Sequence, residues 1–251
     1  MRAQQFTFGL TLAALASTLG ACGDFAGSTG DLGRIDYWLH TDYVLEDWSL
    51  TDVSILTGHS QQINTELTMK GESEYDNKTI THMVTPSVGV TVEHDDLDDR
   101  VSDLLITVEQ PGTYTVDSLI DGHVFDTIDL EFDTPTTLDQ ITFVRAPADD
   151  DFVEDESASP TVEEGSQVAF LPIPLDASGL RIAGDISVGL SADPEDMIVE
   201  GSNVLGVYEQ GVYTSSSPTT IYFVDSGAVT ITLTDDPNAV SASTTFTVEE
   251  L

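Results

Sequence analysis

The chain has 251 residues, of which 45 are acidic and 7 basic, for a formal net charge of −38. A polyanion of this density repels nucleic-acid phosphates and anionic lipid surfaces, which excludes both as electrostatic partners. One Cys excludes an intramolecular disulfide and a Cys-based zinc site, while 40% hydrophobic residues suffice for an ordinary core over one large or two small domains.

Residues 1–21 read as a targeting segment. Arg2 supplies a positive start, and Phe6 to Leu19 is apolar and uncharged but short for a membrane span. The stretch ends in Leu19-Gly20-Ala21-Cys22, which resembles the lipobox of bacterial lipoproteins. The resemblance implies cleavage before Cys22, lipid attachment to its thiol, and a membrane partner through the acyl chains. Gly23, rather than Asp, follows the Cys, which resembles the sorting pattern for an outer-membrane destination. Gly23, Asp24 and Ala26 to Gly30 are small or acidic, and 22–33 reads as the lipidated Cys and a flexible tether.

From residue 34 onward the dominant pattern is period-2 alternation, the signature of half-buried strands. It runs through Ile63, Thr65, Leu67 and Met69, through Val88, Val90 and Val92, and through Leu104, Ile106 and Val108. The row Val124, Ile128, Leu130, Phe132 is broken by Asp126. Ile141 and Phe143, then Ile186, Val188 and Leu190, then Val229, Ile231 and Leu233, and finally Phe246 and Val248 repeat the habit. Short strands separated by Gly, Pro, Asp and Asn predict an all-β chain of antiparallel β-sandwiches.

The pattern also repeats. Arg34 to His40 matches Gln140 to Arg145, and each is followed by an acidic stretch and a Gly. The Ile35–Gly58 and Ile141–Gly165 spacings are 23 and 24 positions. Gly58-His59-Ser60-Gln61 is set against Gly165-Ser166-Gln167, and Gln110 to Val116 against Asp225 to Ile231. A repeat of roughly 105 to 115 residues has the size of an immunoglobulin-like domain. The expected layout is a first sandwich over 34–133, a linker at 134–137 and a second sandwich over 138–251. So short a linker predicts two modules end to end with limited bending.

The second copy resembles the bacterial immunoglobulin-like domains of the group 2 type, found in surface proteins and adhesins. Val162 to Ser166, Leu175 to Gly179, Val188 to Pro194, Ser226 to Thr232, Val240 to Ser243 and Phe246 to Val248 carry the resemblance. The family usually has a Trp in the strand before Ser191-Ala192-Asp193-Pro194; here Val188 or Leu190 stands there. Tyr114, two residues after Gly112, stands where such sandwiches place a tyrosine whose hydroxyl bonds back to the chain.

Candidate chemistry is sparse. Acidic runs hold Asp95, Asp96, Asp98 and Asp99, then Asp149, Asp150 and Asp151; Asp193, Glu195 and Asp196 form a third cluster. Close carboxylates are hard ligands of the kind Ca²⁺ takes, and calcium is the one cofactor they suggest. The same runs also read as a solvated acidic face, and none matches the Asp-x-Asp-x-Asp-Gly loop. A large net charge also keeps a protein hydrated in salty water, and predicts lower stability at low ionic strength. Tyr43 and Trp48 offer aromatic surface beside Asp42, Glu46 and Asp47 for a sugar or protein partner, or Trp48 caps the sandwich edge. Trp38, out of phase with Ile35, Tyr37 and Leu39, is expected on the other face of its strand.

The five histidines, His40, His59, His82, His94 and His123, show no metal-ligand spacing, and no Gly-x-Ser-x-Gly elbow accompanies them. His59 beside Ser60 reads as a strand-start turn. The expectation is a non-enzymatic spacer, scaffold or adhesion module of the cell envelope. A calcium-dependent carbohydrate- or protein-binding module is the alternative. A carboxylate hydrolase stands last, because it needs two carboxyl groups converging from different elements.

Overall fold

The computed structural model describes residues 34–40, 50, 53–68, 80–96, 101–120, 122–149, 151–201 and 219–251. These residues build an all-β chain of two consecutive immunoglobulin-like sandwiches.

The first module uses β1 (Arg34–His40), β2 (Ser54–Leu56), β3 (Ser60–Thr68), β4 (Ile80–Thr85), β5 (Val90–Asp96), β6 (Val101–Val108), β7 (Gly112–Ile120) and β8 (His123–Asp133). They form two sheets, ordered β1-β3-β6-β5 and β2-β8-β7-β4. The second uses β9 (Thr137–Arg145), β10 (Val153–Asp155), β11 (Thr161–Glu163), β12 (Gln167–Leu175), β13 (Gly189–Asp193), β14 (Ile198–Gly201), β15 (Thr219–Phe223), β16 (Gly227–Asp235) and β17 (Val240–Glu249). Its sheets run β10-β9-β12-β15-β14 and β11-β17-β16-β13. All pairings within the sheets are antiparallel except β2 with β8 and β11 with β17, which are parallel.

Alternation decides which side chains meet between the sheets. Ile63, Leu104, Ile106, Val116, Leu130 and Phe132 fill the first core. Phe170, Ile221, Phe223, Ile231, Leu233 and Phe246 fill the second, where Phe246 meets Phe223 and Phe170 at ring-centroid distances of 5.1 and 6.0 Å. β12 is buried along nearly its whole length because its outer face is apolar too: Ala169 and Leu171 pack with Phe143 and Phe152. The Arg145 guanidinium lies 5.1 Å from the Phe152 ring centroid, a cation–π contact.

The repeat is legible strand by strand. β7 and β16 have the same burial sequence and both open on a glycine, Gly112 and Gly227, at φ +147° and +141°. Gly58 and Gly165 sit at φ +80° and +87°, and their amides donate to Val108 and Phe223 carbonyls respectively, both at 2.8 Å. The Tyr114 hydroxyl donates to the Gln110 carbonyl at 2.8 Å, as its position predicted. Two details of the sequence alignment are corrected: Ile35, opposite Leu67, corresponds to Leu138, opposite Pro174, and not to Ile141, and the pairing after the first glycine shifts by one. Gln61 stands opposite Ile106 and Val168 opposite Ile221, so Gln61 corresponds to Val168, and Gln167 corresponds to Ser60. Asp126 breaks its hydrophobic row where β7 and β8 slip register between Ser118 and Leu119. The irregularity admits an extra residue in β8 and resets the in–out phase.

Candidate functional site

The most elaborate polar arrangement among the described residues lies where the two modules meet. It forms because β2 is a short edge strand. One side of β2 pairs with β8, and the other would leave backbone groups unpaired. The second module fills that side. Ala183 forms a parallel bridge with Ile55; its N–H donates to the Ser54 carbonyl and its carbonyl accepts from Leu56 N–H, both at 2.8 Å. Ile55 and Leu56 are thereby fully buried.

Gln61 extends this added strand with a side chain. It occupies an inward position of β3, in phase with Ile63, Thr65 and Leu67, at the end of the core nearest the second module. Its Nε2 donates to the Asp185 carbonyl at 3.0 Å and its Oε1 accepts from Asp185 N–H at 2.7 Å. A primary amide carries both a donor and an acceptor, so it pairs with one residue's N–H and C=O as a neighbouring strand would. The contact requires glycine at 184: φ is +127°, and a Cβ there would lie 2.3 Å from Gln61 Oε1.

The β16–β17 turn docks beside it. Asn238 Nδ2 donates to the Thr57 carbonyl at 3.1 Å and to Asp235 Oδ2 at 2.9 Å. His59 Nε2 lies 2.9 Å from Asp235 Oδ1, and its Nδ1 lies 3.4 Å from Ser187 N. Because the Ser187 amide can only donate, Nδ1 is the acceptor and Nε2–H donates to the carboxylate; this fixes the tautomer. Asp235 is fully buried and gains two polar partners there. Thr57 shares a hydroxyl hydrogen bond of 2.8 Å with Thr134 of the connecting segment. The side chains in the joint fasten rather than react, because their polar groups are turned toward one another.

A second polar group lies inside the first module, toward its other end. His82 Nδ1 is 2.9 Å from Ser118 Oγ, and the Tyr37 hydroxyl donates to the same Oγ at 2.9 Å. His82 is stacked on His94 at 5.5 Å between ring centroids. A Ser–His contact invites comparison with a nucleophile and base. Ser118 is fully buried, however, and its hydroxyl is committed to its two neighbours. Burial, and then the charge of His94, lower the His82 pKa to about 4. Burial pushes the Tyr37 hydroxyl up and the Asp126 carboxyl up as well.

Of the residues singled out from sequence, Cys22, Tyr43, Trp48, Asp98, Asp99 and Asp150 lie outside the described residues. Asp95 and Asp96 stand at the end of β5, in register with Asp103 and Ser102. Asp149 and Asp151 are exposed around the turn between β9 and β10. Among the described residues, no group of three or more His, Cys, Asp or Glu side chains is placed to hold a metal ion. Trp38 does lie on the outer face of β1, opposite Asn64, with 39% exposure. His59, expected only as a strand-start turn, is a joint residue. The pairs Gln61–Asp185 and His59–Asp235 escaped the sequence reading. The available signal was Gln61, a long polar side chain in phase with the inward-facing Ile63, Thr65 and Leu67.

No protein-family model matches the sequence, and no curated protein does. Among solved structures, the chain is similar to FdeC, an Escherichia coli adhesin, at 13% identity and TM-score 0.31, covering 86% of this chain and 64% of that one. It is similar to the C-terminal 282-residue fragment of intimin, crystallised with an intimin-binding domain of its translocated receptor, at 12% identity and TM-score 0.29, covering 84% and 62%. It is also similar to domains 5–6 of the S-layer protein SbsC, at 12% identity and TM-score 0.30, covering 85% and 99%. The chain thus spans less than two thirds of the FdeC and intimin chains. The fold assignment rests on strand order and register.

Proposed function

We propose that this chain is a lipid-anchored, non-enzymatic spacer of a bacterial cell envelope. Cys22 carries the lipid, residues 22–33 form the tether, and sandwiches over 34–133 and 138–251 hold a distal surface at a set distance from the membrane. The observation that carries the reading is the joint. A freely jointed pair of domains needs only a linker. Here one module adds a strand to the other and buries a histidine–carboxylate contact and a glutamine–backbone pair at the seam. Such a seam fixes an orientation, and orientation is what a spacer or a presenting scaffold needs. The partner of the distal surface is of protein or carbohydrate class.

Two measurements test this. Small-angle scattering of the chain lacking residues 1–21, with Cys22→Ser, is expected to fit one fixed arrangement of two modules. A distribution of inter-module angles refutes the spacer. In cells, the full chain is expected to fractionate with membranes and Cys22→Ser to leave them. A Cys22→Ser chain that stays in the membrane fraction refutes the anchor.

A further inference from the structure

β2 and β11 hold corresponding places: each is a three-residue strand near the entry of its module, paired in parallel with the module's last strand. Tension along the chain pulls the entering strand one way and the leaving strand the other. A parallel pair so loaded is sheared, and its hydrogen bonds bear the force together instead of opening one after another. The bonds are present in both modules. Thr57 N–H donates to the Asp133 carbonyl at 3.0 Å; Thr247 N–H donates to the Pro160 carbonyl and Glu164 N–H to the Glu249 carbonyl, each at 2.9 Å.

The modules then differ. β11 has one partner strand, whereas β2 has β8 on one side and Ala183 on the other. Both neighbours of β2 belong to the downstream side of the load path: β8 leads into the second module, and Ala183 is part of it. Just past β2, His59 and Gln61 are held by Asp235 and Asp185 of that same module. We propose that the joint is a mechanical lock. Under tension, the first module cannot slide β2 off β8 until the 183–185 segment of the second module lets go. The chain is then a load-bearing tether whose membrane-side module is secured by its neighbour. This rests on the spacer reading only in supposing that the chain is held at its N-terminal side and loaded from the other.

The test is single-molecule pulling of the full chain with a handle at each end. Two unfolding steps are expected, each releasing roughly 300–400 Å for about 100 residues at 3.3–3.6 Å per residue. Gly184→Ala and Gln61→Leu are expected to lower the force of one step and leave the other where it was. Gln61→Leu keeps the buried volume, so it serves if Gly184→Ala does not fold. Gly179→Ala, strained at φ +78° but with nothing within 4 Å of the added methyl, is expected to leave the step that the joint variants lower where it was. Unchanged forces in both joint variants overturn the lock, and so does an equal fall in both steps, which marks general destabilisation. Scattering on the same samples separates the two ideas. A fixed wild-type arrangement with unchanged forces refutes the lock alone; a broad wild-type angle distribution refutes the spacer.

Discussion

Replacing Gly184 with alanine is the sharpest perturbation of the joint, because one methyl group acts there in two ways. The backbone at φ +127° is a conformation L-residues seldom adopt, which costs about 1–2 kcal/mol. The methyl also lands 2.3 Å from Gln61 Oε1 and 2.8 Å from its Cδ, so the amide must move. Gln61 is fully buried and its two hydrogen bonds to Asp185 are the ones displaced. Each such bond contributes about 1 kcal/mol net, and a buried amide left unpaired costs more. The expected loss is about 3–5 kcal/mol, bounded above by what the joint itself contributes. Gly179→Ala in the same loop carries a left-handed backbone cost without the collision, so the difference between the two variants holds the Gln61 contact together with the extra strain of φ +127° over φ +78°. Differential scanning calorimetry should show Gly184→Ala with a lower, broader transition, and hydrogen exchange should show the Leu56 amide losing protection. A Gly184→Ala protein that melts with Gly179→Ala and keeps Leu56 protected would refute the claim that Gln61 and Gly184 hold the modules together.

Three further outcomes follow from the structure. Tyr114→Phe removes the hydroxyl that donates to Gln110 and should lower stability by about 1 kcal/mol in urea titrations; no change would mean that water replaces the bond at no cost. The melting temperature should rise by several degrees from millimolar to molar NaCl, because salt shortens the screening length around a chain of net charge −38; a flat profile would remove self-repulsion as a factor. His82, with a folded pKa of about 4 against 6.5 in the unfolded chain, is neutral in both states at pH 7, so its contribution is intact there. As pH falls from 6.5 toward 4 the unfolded chain takes up a proton that the folded one refuses, and about 3 kcal/mol of stability is lost. Asp126, shifted upward, works in the opposite sense, so the assay compares wild type with His82→Gln across this range and expects the acid-side slope to flatten in the variant.

Much of the fold is legible in the sequence because alternation and glycine placement are local properties. Ile63, Thr65 and Leu67 announce one face of β3, and Gly112 and Gly227 announce the start of equivalent strands, with no knowledge of their neighbours needed. The joint was not legible in the same way, because its contacts from one module to the other span 124 to 181 positions of sequence and depend on the geometry of two finished sandwiches. Gln61 in an inward row looks like a flaw in the pattern until Asp185 is opposite it. Ser118 beside His82 is a related case: sequence separates them by 36 positions, and only burial shows that the hydroxyl is sealed from any substrate.

The repeat makes the joint more informative than a single interface would be, since the second module supplies the same scaffold with the fastening residues changed. Register places Glu163 where the first module has Leu56, Glu164 where it has Thr57, and Val168 where it has Gln61. At the joint an apolar edge strand and a buried amide meet another backbone; at the corresponding end of the second module the edge carries an exposed Glu163, and the core is closed by Val168. Charge on a strand edge opposes further strand addition, whereas an apolar edge invites it. Two copies of one architecture therefore behave differently at the same structural address, and the difference resides in three side chains. Exchanging two of the three tests that attribution: Leu56→Glu with Gln61→Val should loosen the seam without unfolding either sandwich, seen as a wider range of inter-module angles with strand content unchanged. A doubly substituted chain that keeps the wild-type arrangement would show that the Ala183 bridge and the Asp235 contacts hold the modules without help from these positions.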